Sequence, residues 1–279
     1  MGIKQTIQFV AAAVGVVAIT AHAGSSKFTD LPGSPGLKSA SALVLDDDGN
    51  VIYGKDVDTV RPIASITKLM TAMVILDANL PLDEKITITR EDRDLIRLTG
   101  SRLEYGASLS RREMILLAIM SSENRAATAL GRTYPGGMAN FLDHMNRKAR
   151  ALGMRNSHFA DPAGLKSENV STAADLARMA AAAEQYPLIT EASTTTRLDV
   201  RPYRGRGHLT YGNTNRLLKN ETWNIELSKT GYINEAGRCL VMNANIEGEE
   251  VSIVLLNSFG KLTPFGDSNR LRQWMLSNS

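Results

Sequence analysis

The sequence predicts an α+β fold in which an antiparallel sheet is flanked by helices and an all-helical region is inserted. Three observations support this fold class. Two strand-like runs flank the turn-forming residues 46–50, helical signals fill residues 65–185, and three strand-like runs follow between residues 225 and 258. The simplest packing places the first and last strands in one antiparallel sheet, with the helices around it.

The N-terminal residues are predicted to be separate from this fold. Lys4 precedes an apolar run at residues 9–20, and Ala21-His22-Ala23 supplies a small-x-small site. Residues 1–23 are therefore interpreted as a secretory signal peptide, cleaved after about Ala23. The apolar run is short for a membrane span, and an uncleaved anchor is the alternative. Residues 24–38 are rich in Ser, Gly and Pro and are expected to form a flexible linker, followed by a single domain over residues 39–279.

Hydrophobic spacing and end signals predict each element in turn. A hairpin is expected at residues 40–53 and a helix at residues 65–80. Ser110 and Glu113 form a capping box that opens a helix over residues 111–120. Further helices are predicted at residues 122–132, 137–152 and 172–185, weak strands within 194–216, strands at 225–230, 238–246 and 251–258, and a last helix at 265–276.

Charge and cysteine content exclude several classes of function. The net charge of +3 falls to +2 once Lys4 is removed with the signal peptide, which argues against nucleic acid or another polyphosphate as a partner. Cys239 is the only cysteine, so an internal disulfide and a thiolate zinc site are excluded. The four histidines show no metal-binding spacing, and no metal or organic cofactor is expected.

Three short motifs carry the chemistry of a serine acyl-transferase. In the first, Ser65-Ile66-Thr67-Lys68, residues three apart share one helix face, so the Lys68 amine is expected to reach the Ser65 hydroxyl. Burial and the helix dipole would lower the lysine pKa, which would let a neutral Lys68 take the Ser65 proton. The motif alone is weak, because Ser65 could be an ordinary N-cap and residues 258–261 repeat the same spacing.

The second and third motifs complete the set. Ser122-Glu123-Asn124 follows the apolar run at residues 114–120, so Ser122 is a candidate proton relay and Asn124 a candidate substrate ligand. Residues 167–169 repeat this motif, and a helix-junction cap is the alternative. Lys229-Thr230-Gly231 lies on a predicted strand, where the glycine permits close approach of a substrate backbone. The trio in this order is the pattern of penicillin-binding proteins and class A β-lactamases.

The chain resembles the low-molecular-mass penicillin-binding proteins, the family of D-alanyl-D-alanine carboxypeptidases and endopeptidases. The stretches that carry the resemblance are residues 61–73, 120–127, 161–165, 171–173 and 228–232. The resemblance implies a DD-peptidase/β-lactamase-like fold without a C-terminal β domain. It also implies that Ser65 is the nucleophile, Lys68 its base and Ser122 a proton relay. The substrate-binding residues would be Asn124, Lys229, Thr230 and Gly231. The backbone amides of Ser65 and Tyr232 would form the oxyanion hole.

The expected activity is that of a periplasmic serine endopeptidase that hydrolyses peptidoglycan cross-links. Its partners would be peptidoglycan stem peptides and, as inhibitors, β-lactams, with at most weak membrane association. Tyr232 is bulky where relatives often carry a small or polar residue, and it is counted among the substrate-binding residues. Arg125 and Arg238 are further candidates for binding substrate carboxylates.

Three alternatives to the endopeptidase remain open. A carboxypeptidase that trims terminal D-Ala would use the same motifs. A β-lactamase is disfavoured because no E-x-x-L-N stretch is present to deacylate the enzyme. An inactive binding protein is disfavoured because Ser65, Lys68 and Lys229 are all intact.

Overall fold

The computed structural model describes residues 26–279, and the signal peptide expected at residues 1–23 lies outside them. The strands follow in chain order: β1 Ser41–Asp46, β2 Val51–Lys55, β3 Arg61–Pro62, β4 Lys85–Thr87, β5 Ser108–Ser110, β6 Val170–Ser171, β7 Arg197–Val200, β8 Leu209–Gly212, β9 Asn224–Ile233, β10 Gly237–Ile246 and β11 Glu249–Ser258. Seven α-helices accompany them within the described residues: α1 Thr67–Asp77, α2 Arg111–Met120, α3 Asn124–Arg132, α4 Gly137–Ala151, α5 Ala173–Glu184, α6 Pro187–Thr194 and α7 Thr263–Asn278.

The central sheet has five strands in the order β2-β1-β11-β10-β9, and every neighbouring pair is antiparallel. The first strands of the chain therefore pair with the last, with Val44 opposite Ile253. This confirms the predicted fold class. Lys229 lies opposite Val241 on the edge strand β9, beside the turn that precedes α1.

Alternating side chains of the sheet supply two apolar layers, because successive residues of a strand point to opposite faces. One layer includes Leu43 and Val254 and continues into the buried helices α1, α2 and α5. The other includes Val44 and Ile253 and is covered by α7. Residues 26–279 contain no helix that combines the length and the apolar character needed to cross a bilayer.

Residues 26–38 pack against this second layer and differ from the expected flexible linker. Phe28 is fully buried in the cluster beneath α7. The Trp274 Nε1 donates a hydrogen bond to the Pro32 carbonyl at 2.9 Å, and the Ser39 amide donates to the Asp267 carboxylate at 2.7 Å. The Ser, Gly and Pro content predicted the irregular backbone, but one buried aromatic side chain anchors it.

Two helix predictions differ from the structure in detail. The helix expected from residue 65 begins with a 3₁₀ turn over Ala64–Ile66, and α1 itself starts at Thr67. The helix expected from residue 122 starts at Asn124, because Ser122 adopts φ +61°, which an α-helix cannot contain. A third helix, α6, has 8 residues with Pro187 in its first turn and was not predicted.

Candidate active site

The turn that carries Ser65 is held between two glycines. A Cβ on Gly164 would lie 1.9 Å from the Ala64 carbonyl oxygen, and one on Gly231 would lie 2.9 Å from the Ile63 oxygen and 3.1 Å from the Ser65 nitrogen. Only glycine permits such approach, so the loop at residue 164 and the strand β9 both touch the turn. Ser65 is thereby fixed at the start of α1 with its amide facing β9.

Lys68 is fully buried one helical turn after Ser65. Its Nζ lies 2.8 Å from Ser65 Oγ, 2.8 Å from Asn124 Oδ1 and 2.6 Å from the Ala163 carbonyl oxygen. Burial lowers the pKa of Lys68 from 10.5 to about 7, against the smaller opposing effect of the Asp161 and Glu123 charges. A neutral amine has two N–H donors for the two carbonyl-type oxygens, so its lone pair is left for the Ser65 hydroxyl.

A chain of hydrogen bonds fixes the orientation of the Asn124 amide. Asn124 Nδ2 donates to Thr99 Oγ1 at 2.9 Å, and the Thr99 hydroxyl donates to Asp94 Oδ2 at 2.7 Å. Because the Thr99 proton is committed to a carboxylate, its oxygen must accept from the amide nitrogen. The amide oxygen of Asn124 therefore faces Lys68.

Ser122 and Lys229 form a second pair across the site. Lys229 Nζ donates to Ser122 Oγ at 3.1 Å and to the Thr230 carbonyl at 2.8 Å. Burial, and then the neighbouring Lys68 charge, hold the pKa of Lys229 well below its ordinary value. An anionic substrate group beside Lys229 would favour its charged form. Ser122 has a left-handed backbone, which is uncommon for a residue with a side chain, and its hydroxyl faces Lys229.

The motif residues line one cleft of about 720 Å³. Ser65, Ser122, Asn124, Thr230, Gly231 and Tyr232 all contribute to its wall, and Lys68 and Lys229 are buried directly beneath. Tyr232 is 47% exposed, and the guanidinium of Arg238 stacks 3.6 Å from its ring centroid. Thr230 Oγ1 donates to Thr214 Oγ1 at 2.6 Å, which connects the strand β9 to the chain after β8.

Other sequence candidates lie elsewhere. Arg125 donates to the Leu103 carbonyl and stacks over Tyr105, and it does not line the cleft. Of the two repeated motifs, Ser258 is buried against Ser39, and Ser167 bonds to its neighbour Glu168. Neither repeated serine lines the cleft.

Sequence reasoning missed five residues that contribute to the site, from three segments of the chain. The Ala163 carbonyl accepts from Lys68, but a backbone group leaves no residue-type signal except the adjacent Gly164. Thr99 and Asp94 lie in a loop between β4 and β5 for which no motif was identified. Asn213 and Thr214 line the cleft from a segment interpreted only as weak strand.

Comparisons with known proteins agree with this geometry. Residues 29–260 match the model of the peptidase S11 family, described as D-alanyl-D-alanine carboxypeptidase. The D-alanyl-D-alanine endopeptidase of Pseudomonas aeruginosa is 49% identical over 260 residues, which cover 93% of this chain and 84% of the relative. The D-alanyl-D-alanine endopeptidase of Escherichia coli K12 is 48% identical over 243 residues, which cover 86% of this chain and 78% of the relative.

The fold comparison gives the same assignment. The crystal structure of the Streptomyces K15 DD-transpeptidase superposes with a TM-score of 0.81 and 27% identity, covering 88% of this chain and all of the other. The family match spans most of the described residues and includes all three motifs. The chain therefore belongs to the peptidase S11 family of serine DD-peptidases.

Proposed function

We propose that this protein is a serine D-alanyl-D-alanine endopeptidase that hydrolyses peptide cross-links of peptidoglycan through an acyl-enzyme on Ser65. The observation that carries the proposal is the 2.8 Å contact between the buried Lys68 amine and Ser65 Oγ, which pairs a nucleophile with a base of lowered pKa. The names of the relatives from P. aeruginosa and E. coli support the endopeptidase assignment.

The first half of the reaction forms the acyl-enzyme. Ser65 Oγ attacks the carbonyl carbon of the D-Ala residue at the cross-link, and the hydroxyl proton passes to Lys68 Nζ. The nearby charges of Asp161 and Glu123 favour the resulting ammonium. The oxyanion that develops on the carbonyl oxygen accepts hydrogen bonds from the backbone amides of Ser65 and Tyr232.

The second half releases both peptides. The C–N bond breaks as Ser122 gives its proton to the leaving amine and regains one from the Lys68 ammonium. Water then attacks the ester carbonyl and loses a proton to Lys68, and Lys68 returns this proton to Ser65 Oγ as the ester C–O bond breaks. Asn124 and Thr230 hold the substrate backbone, and Lys229 keeps the Ser122 hydroxyl in place. The residues take these roles with no metal or organic cofactor, in the periplasm after export.

A carboxypeptidase that removes a terminal D-Ala would use the same steps, and the family description supports this second candidate. The two activities differ in the leaving group alone. The cleft includes Lys261 and Phe265 in addition to the motif residues, and this extent favours a leaving group longer than one amino acid.

The test begins with intact-mass analysis of the mature protein incubated with benzylpenicillin, with Ser65→Ala as control. A single stable adduct on the wild-type protein alone is expected. Digestion of cross-linked muropeptide dimers and of pentapeptide monomers then separates the activities. Dimer cleavage with little loss of terminal D-Ala supports the endopeptidase, whereas the reverse pattern supports the carboxypeptidase. The absence of any adduct would contradict the proposed nucleophile.

A further inference from the structure

One wall of the cleft is strongly cationic. Arg216, Lys219, Arg238 and Lys261 line the same cleft as Ser65, and no acidic residue among the described residues lines it. Arg216 and Lys219 lie on the 3₁₀ turn between β8 and β9, and Lys261 lies between β11 and α7. We name Arg216, Lys219 and Lys261 the cationic wall. Its charges come from two separate segments that converge on the same cleft.

The 3₁₀ turn presents its two cations on one side. Residues three apart eclipse each other in a 3₁₀ helix, so Arg216 and Lys219 project together. Leu217, between them, is buried in the core beneath α7, and Asn215 caps the turn by accepting from the Leu217 amide at 3.0 Å. The apolar anchor thus sets the direction of the charged pair.

The cationic wall has no acidic partner within residues 26–279. None of its three side chains forms an ion pair or donates a hydrogen bond there, whereas other cations near the site are paired, such as Arg97 with Glu235 at 2.9 Å. Like charges that converge on a cleft repel each other and attract an anion. The chain as a whole is nearly neutral, so this unbalanced charge is a local feature of the cleft.

The surroundings of the wall fit a peptide. Tyr232 and the stacked Arg238 form a flat surface next to Gly231, and Phe265 also lines this cleft. A chain bound along the cleft would contact both these aromatic side chains and the cations. Such a site suits a peptide that presents some apolar side-chain surface and several carboxylates.

We infer that the cationic wall is a binding subsite for the carboxylates of the leaving peptide, the strand whose amine is released when Ser65 is acylated. This inference rests on the proposed function, and it names the substrate class as an acidic peptide rather than a single amino acid. A D-Ala leaving group offers one carboxylate beside the scissile bond, whereas a stem peptide offers several farther along. The wall therefore determines specificity for cross-links.

The test measures binding by Ser65→Ala protein, which holds substrate without cleaving it. The ligands are a cross-linked stem-peptide dimer with free carboxylates and the same dimer after amidation of those carboxylates. Arg216→Gln/Lys219→Gln is compared with the matched double variant Arg150→Gln/Arg155→Gln, which removes two exposed arginines that do not line the cleft. Equal melting temperatures establish that all variants are folded.

The expected result is about tenfold weaker binding of the free-carboxylate dimer by the Arg216/Lys219 variant, since each exposed ion pair contributes up to about fivefold. The amidated dimer should bind the two double variants equally. An unchanged affinity for the free-carboxylate dimer, or an equal loss for both dimers, overturns the inference. Failure of the proposed function would be seen separately, as the absence of dimer cleavage by the wild-type protein. The binding measurement with Ser65→Ala protein does not depend on turnover.

Discussion

The pKa of Lys68 makes acylation depend on pH in a defined direction. Burial lowers that pKa from 10.5 to about 7, so the neutral amine, which is the proposed base, predominates above pH 7. At pH 7 about half of the molecules carry a neutral Lys68, roughly 1000-fold more than for an ordinary lysine. Below the midpoint the neutral fraction falls about tenfold per pH unit, to about 1% at pH 5. We therefore expect acylation to rise through pH 7 and to level off above about pH 8.

The assay is the second-order rate of acylation by a fluorescent penicillin, followed by rapid quench between pH 5 and 9. Lys68→Arg should lose acylation by roughly 1000-fold or more across this range, because arginine stays protonated. Glu123→Gln should move the midpoint to lower pH, because the Glu123 charge raises the pKa of Lys68. Its side-chain oxygen can still accept from the Arg125 amide, as Glu123 does.

A flat profile for the wild-type protein from pH 5 to 9 would refute Lys68 as the titrating base, and so would normal acylation by Lys68→Arg. Melting temperatures at each pH serve as the control for unfolding. A midpoint that moves upward in Glu123→Gln would contradict the electrostatic argument, even if the profile itself rises with pH.

Three further predictions follow from contacts around the site and the core. Thr99→Val should slow penicillin acylation about tenfold, because it leaves the Asn124 amide nitrogen without an acceptor. Thr99→Ser should retain the rate. Equal rates for the two variants would contradict a role of Thr99 in positioning Asn124. Gly231→Ala should reduce acylation about hundredfold, since the added methyl group would meet the backbone of the turn that carries Ser65. Gly207→Ala, with open space around the added methyl group, is the control in the same assay. Phe28→Ala should lower the free energy of unfolding by about 3 kcal/mol in urea denaturation, against less than about 0.5 kcal/mol for Phe259→Ala, which is 95% exposed. Similar losses for the two phenylalanine variants would show that the N-terminal segment contributes nothing to the core.

The sequence predicted those features that depend on local rules. The capping box at Ser110 and Glu113 is present, with the Ser110 Oγ accepting from the Glu113 amide at 3.2 Å. The spacing of Ser65 and Lys68 predicted their contact, because one helical turn brings residues three apart together. The three strands predicted between residues 225 and 258 are likewise present and pair in succession as β9, β10 and β11.

The remaining features depend on contacts between distant parts of the chain. Thr99 lies 25 positions from Asn124, and nothing in residue type marks a threonine as the acceptor of a particular amide. The carbonyl of Ala163 reaches Lys68 through the backbone, which every residue possesses. The burial of Phe28 requires α7, at the other end of the described chain, so a Ser-, Gly- and Pro-rich composition suggested mobility instead.

The strand order also constrains how the protein acquires activity. β11 lies between β1 and β10, so the first strand gains its inner neighbour only when nearly all of the chain is available. Pairing across such sequence separations slows folding, because the chain loses the entropy of loop closure before the strand contacts that offset this loss can form. A chain lacking the last three strands would still carry Ser65 and Lys68 three residues apart, yet it would have no β9 to support the Ser65 turn or to supply the proposed oxyanion amide. Competence for acylation is therefore expected late in folding, which keeps a partly folded chain from acting as a hydrolase.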